Sequence, residues 1–211
     1  MKIIILHGLY MHGIVMRPLA TKLRNLGYRT KLISYNSLAI NERQLFKTLD
    51  NALAEDMPNI FIGHSLGGLI IKRYLNARQL SPEHVSHVIA LGSPLQGASI
   101  VDLLSEFGLK PLLGNSPSHG LDKHQDEWTL PQKLGSIAGT LPIGARSFLL
   151  WPDKSLSDGT VTVEETKISG MTDHLLMKNT HTSLVYSNKV VTQIDHFIHH
   201  NQFNKLPVNH L

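Results

Sequence analysis

A serine lies between glycines at the point where an apolar run passes into a helical pattern. The segment is Gly63-His64-Ser65-Leu66-Gly67-Gly68, directly after Ile60-Phe61-Ile62. In this context the pattern indicates a sharp strand-to-helix turn, because glycines at 63 and 67 let the turn close and leave the Ser65 Oγ exposed. The N-terminus of the following helix favours developing negative charge. We therefore predict Ser65 as a nucleophile. The alternative is a tight turn with an idle serine.

The base for such a serine should come late in the chain. A serine hydroxyl needs a base near neutral pH. Where the nucleophilic serine lies in a strand-to-helix turn of this kind, the chain order is serine, acid, histidine. His181 follows the last predicted strand, where a loop could carry its imidazole over the edge of the sheet, so we predict His181 as the base. A structural loop histidine is the alternative. The other histidines after position 120 are His124, His174, His196, His199, His200 and His210.

The acid that orients the base has three candidates. Asp158 precedes Gly159-Thr160-Val161, a tight turn able to point a carboxylate inward, and is the predicted acid. Asp153 and Asp173 are its rivals. Each could instead be a turn-forming residue, because aspartates are common in turns.

An oxyanion needs preorganised donors, usually backbone N–H groups. We predict the N–H of Leu66, the residue after the nucleophile, and the N–H of Leu9 in the loop that follows the first strand. Tyr10 is the second choice for the latter. The predicted substrate pocket adds apolar residues of the segment 100–113 to Tyr10, Met11, His64 and Leu95.

The elements that must position these residues alternate between strands and helices. Apolar runs predict strands at 3–6, 28–35, 59–62, 85–91, 134–140 and 175–178. Helical patterns cover 15–26, the residues after a capping pattern at Asn41–Gln44, the residues after Ser65, and those after Ser187. This order predicts a parallel sheet with helices on both faces. Residues 95–133 are expected to add one or two short helices over the sheet edge.

Composition excludes several classes of protein. The 211 residues are 42% hydrophobic and 17% charged, values typical of one globular domain. The absence of cysteine excludes a disulfide scaffold and a cysteine nucleophile. The apolar run at Ile3–Leu6 is too short for a signal peptide, and no run is long enough for a membrane helix, so we expect a cytoplasmic protein.

Charge is distributed unevenly along the chain. Residues 1–80 carry 11 Lys and Arg against 4 Asp and Glu. The basic residues are scattered and lack interleaved aromatics, so we predict solvated helix faces and no nucleic-acid partner. A metal site built from His7, His12 and His64 is not expected, because their spacing is unsuitable and no carboxylate is near in sequence.

Taken together, these motifs resemble the α/β-hydrolase superfamily, and within it the small bacterial lipase/esterase-like proteins. The matching segments, in the family's order, are His7-Gly8-Leu9, Gly63–Gly68, Gly92-Ser93-Pro94-Leu95-Gln96-Gly97, Ile137-Ala138-Gly139-Thr140, Asp158–Val161 and His181-Thr182-Ser183-Leu184. The resemblance implies a triad of Ser65, Asp158 and His181, an oxyanion hole from Leu9 and Leu66, and neither metal nor organic cofactor. The chain begins at what would be the family's third strand, so the resemblance implies a mostly parallel sheet of about six strands.

The expected activity is hydrolysis of a small hydrophobic carboxylic ester through an acyl-enzyme. We expect a single domain over residues 1–211, with 95–133 as a short lid or cap. A thioesterase, an amidase or an acyltransferase would use the same triad, and a non-catalytic binding module of the same fold is a further alternative. Oligomeric state and transient contact with a lipid surface stay open.

Overall fold

One six-stranded parallel sheet, in the order β2-β1-β3-β4-β5-β6, organises the part of the chain that the structure describes. The structure is a computed structural model and describes residues 1–99, 101, 110–122, 127–144 and 155–205. The strands are β1 Lys2–Leu6, β2 Arg29–Ile33, β3 Asn59–His64, β4 Val85–Leu91, β5 Lys133–Gly139 and β6 Asp173–Met177. Every pair of neighbouring strands is parallel. The predicted parallel sheet of about six strands is therefore confirmed.

Helices cover both faces of this sheet. Those that the described ranges contain in full are α1 Arg17–Asn25, α2 Glu42–Asp50, α3 Leu66–Arg78 and α4 Asn188–His200. Alternation along β1 separates two apolar clusters: Ile4 and Leu6 pack with α2 and α3, whereas Ile3 and Ile5 pack with α1 and α4. Because successive strand side chains point to opposite faces, one buried strand serves both clusters. The sheet thus lies between two helical layers.

Helix starts follow local capping chemistry. The Asn41 Oδ1 accepts the Gln44 N–H at 3.0 Å at the start of α2, and the Ser187 Oγ accepts the Val190 N–H at 3.3 Å at the start of α4. The helix predicted over 15–26 is divided into a 3₁₀ turn, Gly13–Met16, and α1. Pro18 explains the division, because proline lacks an N–H and fits the first turn of an α-helix.

The second strand is shorter than predicted, ending at Ile33 instead of continuing to Tyr35. Ser34 and Tyr35 leave the sheet to support the loop after β1. The Ser34 Oγ accepts the Gly13 N–H at 3.3 Å, and the Tyr35 N–H donates to His7 Nε2 at 3.2 Å. These side-chain bonds replace ladder bonds that a longer strand would make.

The segment after β4 is described only in parts. Its described residues include two 3₁₀ turns, Lys110–Leu113 and Pro117–His119. Residues 102–109 and 123–126, where apolar lid residues and short helices are predicted, lie outside the described residues. None of the helices in the described part of the chain combines the length and the hydrophobicity of a membrane-spanning segment.

Candidate active site

Ser65 occupies a strained turn between β3 and α3. Its backbone has φ 54° and ψ −124°, a conformation that L-residues rarely adopt. The turn is held by the Ser65 N–H, which donates to Leu91 O at 2.9 Å. A Cβ on Gly63 would lie 2.3 Å from the Gly68 nitrogen, and one on Gly67 would lie 2.7 Å from Leu6 O. Only glycine fits at these two positions, as the motif predicts for a nucleophile turn.

His181 and Asp158 form a short hydrogen bond beyond the carboxyl ends of β5 and β6. The distance from His181 Nδ1 to Asp158 Oδ2 is 2.7 Å, and the Asp158 side chain is only 1% exposed. Because a carboxylate can only accept, the proton lies on Nδ1, and Nε2 is left with the lone pair that a general base requires. The arrangement can therefore orient a histidine and stabilise its protonated form.

Backbone groups hold the Asp158 carboxylate from the other side. Its Oδ1 accepts the N–H groups of Thr160 at 2.9 Å and Val161 at 2.8 Å. A Cβ on Gly139, the last residue of β5, would lie 2.7 Å from the Asp158 Cβ. The Asp158 carboxylate is thus seated against the end of β5, with both oxygens hydrogen-bonded.

The end of β4 closes around the same pair. Gly92 has φ 56°, and a Cβ there would lie 3.0 Å from Asp158 Oδ2 and 3.1 Å from His181 Nδ1. The ring of His181 lies 4.6 Å, centroid to centroid, from the ring of His64, the residue before Ser65. The structure therefore brings the loop of the predicted base to the turn of the predicted nucleophile.

The rival residues lie elsewhere. Asp173 is the first residue of β6 and so lies at the amino ends of the strands, away from the carboxyl ends where Asp158 and His181 meet. It accepts the N–H groups of His174 and Phe203 at 2.8 Å each and pairs with Lys205. His174 bonds to the Thr166 hydroxyl at 2.8 Å. His196, His199 and His200 lie on α4. Asp153, His124 and His210 lie outside the described residues.

The loop after β1 lies directly against the nucleophile. A Cβ on Gly8 would be 2.8 Å from the Ser65 Cβ. The Tyr10 N–H donates to the Ser37 hydroxyl at 3.1 Å, whereas the Leu9 N–H has no acceptor among the described residues. Leu66 is the first residue of α3, where backbone N–H groups have no intrahelical partner. This distribution favours Leu9 over Tyr10 as the donor from this loop.

A buried histidine and a tyrosine support that loop, and sequence reasoning missed the tyrosine. His7 is fully buried and stacks on Tyr35 with ring centroids 4.4 Å apart. Its Nδ1 lies 2.9 Å from Gly8 O, its Nε2 accepts the Tyr35 N–H, and the Tyr35 hydroxyl donates to His7 O at 2.8 Å. Burial lowers the pKa of His7, which keeps it neutral. No local signal in the sequence indicates this pairing across two strands.

The predicted pocket residues differ in exposure. Tyr10 is 60% exposed and Met11 partly exposed, whereas His64 and Leu95 are each 1% exposed. The ring of His64 is therefore enclosed by protein. In the described ranges, no group of three or more His, Cys, Asp or Glu side chains could hold a metal ion.

Sequence comparison identifies the family. A profile of the PGAP1-like alpha/beta domain family matches residues 20–201. The chain belongs to this family. The matched range of this PGAP1-like domain includes Ser65, Asp158 and His181, whereas β1 and the Gly8 turn precede it. No curated protein matches the sequence.

Solved structures similar to this PGAP1-like domain include three hydrolases of low sequence identity. A lipase of Bacillus licheniformis, BlEst2 in its propeptide form, has a TM-score of 0.61 at 16% identity over 93% of this chain and 49% of that one. A pyrethroid hydrolase, PytH, has a TM-score of 0.65 at 15% identity over 95% and 98%. A metagenomic carboxyl esterase, MGS0156, has a TM-score of 0.62 at 17% identity over 86% and 64%.

The PGAP1-like domain thus spans about half the length of the lipase and nearly the whole of the pyrethroid hydrolase. At these identities the likeness is one of fold. Together with the family match, it confirms the predicted membership of the α/β-hydrolase superfamily.

Proposed function

We propose that this PGAP1-like domain hydrolyses carboxylic esters, with Ser65 as nucleophile, His181 as base and Asp158 as the orienting acid. The observation that carries the proposal is the 2.7 Å hydrogen bond between His181 Nδ1 and Asp158 Oδ2, formed at the same sheet edge as the strained Ser65 turn. An isolated serine turn, or an isolated histidine–aspartate pair, would give much weaker support for ester hydrolysis.

The chemistry proceeds in two steps. The Ser65 Oγ attacks the ester carbonyl while its proton passes to His181 Nε2, and the resulting oxyanion is held by the N–H groups of Leu9 and Leu66. His181 then gives the proton to the leaving alcohol, which leaves an acyl group on Ser65. Water, deprotonated by His181, attacks this acyl-enzyme and releases the acid. Serine and neutral histidine are regenerated.

The surroundings of Ser65 favour an ester with an apolar portion. Leu9, the partly exposed Met11 and the largely exposed Tyr10 all belong to the loop against the nucleophile. The names of the similar structures, a lipase, a carboxyl esterase and a pyrethroid hydrolase, agree with ester substrates. Thioesters and amides share the acyl-enzyme, so they are the comparison substrates.

A fluorophosphonate probe tests for an activated serine. We expect a single adduct, located by peptide mass at Ser65, that disappears in Ser65→Ala and falls sharply in His181→Ala. His174→Gln is the matched histidine control, because His174 bonds to Thr166 far from the turn, and it should label like wild type. Folded wild-type protein that does not label at Ser65 would contradict the proposal.

A substrate panel tests the type of bond. Esters of graded acyl length are compared with a thioester and an anilide of the same acyl group. We expect the esters to turn over fastest, with rates that depend on Ser65. Competition between water and an added alcohol, scored by product, separates hydrolysis from acyl transfer.

A further inference from the structure

His64 lies enclosed between the nucleophile turn and the loop that carries His181. It is the last residue of β3, directly before Ser65, and is 1% exposed. Its ring lies 4.6 Å from the ring of His181 at an interplanar angle of 50°. A substrate therefore has little surface of this residue to contact, and its neighbour is the proposed base.

The hydrogen bonding of His64 defines its tautomer. Its Nε2 lies 3.0 Å from the main-chain oxygen of His181. A carbonyl oxygen only accepts, so the proton is on Nε2. The Nδ1 atom has no hydrogen-bond partner in the described ranges, and a second proton there would be buried without an acceptor. Burial accordingly lowers the pKa of His64 to about 3, so it stays a neutral donor at neutral pH.

This bond differs in kind from the other two that hold His181. The His181 N–H donates to Asp158 O at 2.9 Å, and Nδ1 bonds to Asp158 Oδ2. Both of these connect the base to the acid. The bond from His64 connects the base to the segment that bears Ser65. A base must be held within about 0.5 Å of its productive position relative to the nucleophile.

We propose that His64 is a positioning residue, whose Nε2–H holds the His181 carbonyl and so keeps the base in register with Ser65. The inference rests on the proposed function, because it assigns His181 a role in catalysis. It assigns His64 to the support of the base and not to the predicted substrate pocket. A neutral residue suits this place, since a second positive charge would oppose protonation of His181.

Two substitutions separate the hydrogen bond from the volume of the ring. His64→Gln keeps an amide N–H that can reach the position of Nε2, whereas His64→Met fills similar space without a donor. We expect His64→Met to lower kcat by about 10- to 100-fold, as small misplacements of catalytic groups do, with KM changed less than about twofold. His64→Gln should recover kcat to within about threefold of wild type, and fluorophosphonate labelling of Ser65 should follow the same order.

Proton NMR gives a readout that does not need turnover. The Nδ1–H proton shared by His181 and Asp158 should give a slowly exchanging signal in wild type and His64→Gln, and a broadened one in His64→Met. Wild-type kcat and an unchanged signal in folded His64→Met would overturn the proposal, as would an equal loss of kcat in His64→Gln. If His64→Met does not fold, His64→Asn replaces it, because its amide is too short to reach the carbonyl. If wild type neither labels nor turns over, the proposed function fails, and the NMR comparison still decides whether His64 holds His181.

Discussion

Asp158 and His181 are joined twice, once through their side chains and once through their main chains. The Nδ1 to Oδ2 distance is 2.7 Å, and the His181 N–H donates to Asp158 O at 2.9 Å. The double link sets both the position of the histidine loop and the rotation of its ring. Two loops separated by a strand in the chain thus form one unit at the end of β5.

Asp158→Asn should remove activity and leave the fold intact. The new amide oxygen can still accept from Thr160 and Val161, but its NH₂ then faces His181 Nδ1 and forces the proton onto Nε2. The histidine would be a donor where a base is needed. We expect kcat to fall by about 10³- to 10⁴-fold, measured by ester turnover, with unchanged circular dichroism.

The matched control for this change is Asp173→Asn. Asp173 is also a carboxylate with two backbone donors, but at the amino ends of the strands. The Asp173→Asn variant should be somewhat less stable than wild type, because it loses the ion pair with Lys205, and its kcat should be unchanged. Similar losses of kcat in the two variants would argue against Asp158 as the orienting acid.

Gly92→Ala should disturb the pair from the end of β4. Its φ of 56° makes alanine strained, and the new methyl group would lie 3.0 Å from Asp158 Oδ2 and 3.1 Å from His181 Nδ1. We expect a loss of about 1–2 kcal/mol in the free energy of unfolding together with a drop in kcat of at least tenfold. Denaturant melts and steady-state kinetics measure the two effects.

Gly27→Ala is the control that measures the loss of stability caused by a positive φ alone, without a steric clash. Gly27 also has a positive φ, 93°, but a Cβ there has nothing within 4 Å. It should destabilise the protein to a similar degree and leave kcat unchanged. A similar decrease in kcat for both variants would show that the effect comes from general destabilisation.

Gly68→Ala should displace the turn at Ser65, because the new methyl group collides with the side chain of Ser93. The new methyl group would lie 2.3 Å from the Ser93 Oγ and 2.7 Å from its Cβ. Ser93 is fully buried, and a change of its rotamer would move the Oγ but leave its Cβ 2.7 Å from the new methyl group. We expect a loss of about 1–3 kcal/mol in the free energy of unfolding, and slower fluorophosphonate labelling of Ser65.

The double variant Gly68→Ala, Ser93→Gly removes the colliding side chain. It should recover part of the free energy of unfolding and part of the rate of fluorophosphonate labelling at Ser65. Gly63→Ala cannot be rescued in this way, because its methyl group meets backbone atoms of residues 67 and 68. Failure of the double variant to improve on the single one would show that the Ser93 contact is not what excludes alanine at position 68.

Stability should fall as the solution is acidified, and His64 should account for part of the slope. Its pKa is about 3 in the folded chain against an ordinary value of 6.5. Between these pH values the unfolded chain binds a proton that the folded chain excludes, so the stabilising contribution is complete above about pH 6.5 and declines below it. The slope from one such group approaches about 1.4 kcal/mol per pH unit.

Denaturant melts at pH 7.5 and pH 5 measure this slope. His64→Gln should be shallower than wild type, while the buried His7, whose pKa burial also lowers, maintains a slope of the same sign. Equal slopes in wild type and His64→Gln would mean that His64 is protonated alike in the folded and unfolded chains.

Local chemistry in the sequence was enough for the order of the strands and of α1 to α4, although β2 ends earlier than predicted and the helix predicted over 15–26 is divided. Apolar runs predict the strands, Asn41 and Ser187 predict two helix starts, and the glycines around Ser65 predict the turn between β3 and α3. These features depend on residues a few positions apart, since periodicity, capping and turn geometry are short-range effects. Chain order, the tight turn at Asp158-Gly159 and the position of His181 after the last predicted strand selected Asp158 and His181 as candidates, with Asp153 and Asp173 as rivals of Asp158.

Tertiary structure alone decided which side chains meet. Tyr35 supports His7 because the strand order places β2 beside β1. His64 reaches the His181 carbonyl 117 residues away because β3 and β6 are parallel, so that the end of β3 and the loop after β6 lie on the same side of the sheet. Nothing near His64 in the sequence separates a ring that lines a pocket from one enclosed against the loop of His181. That difference depends on long-range packing, which a single sequence does not encode in any short segment.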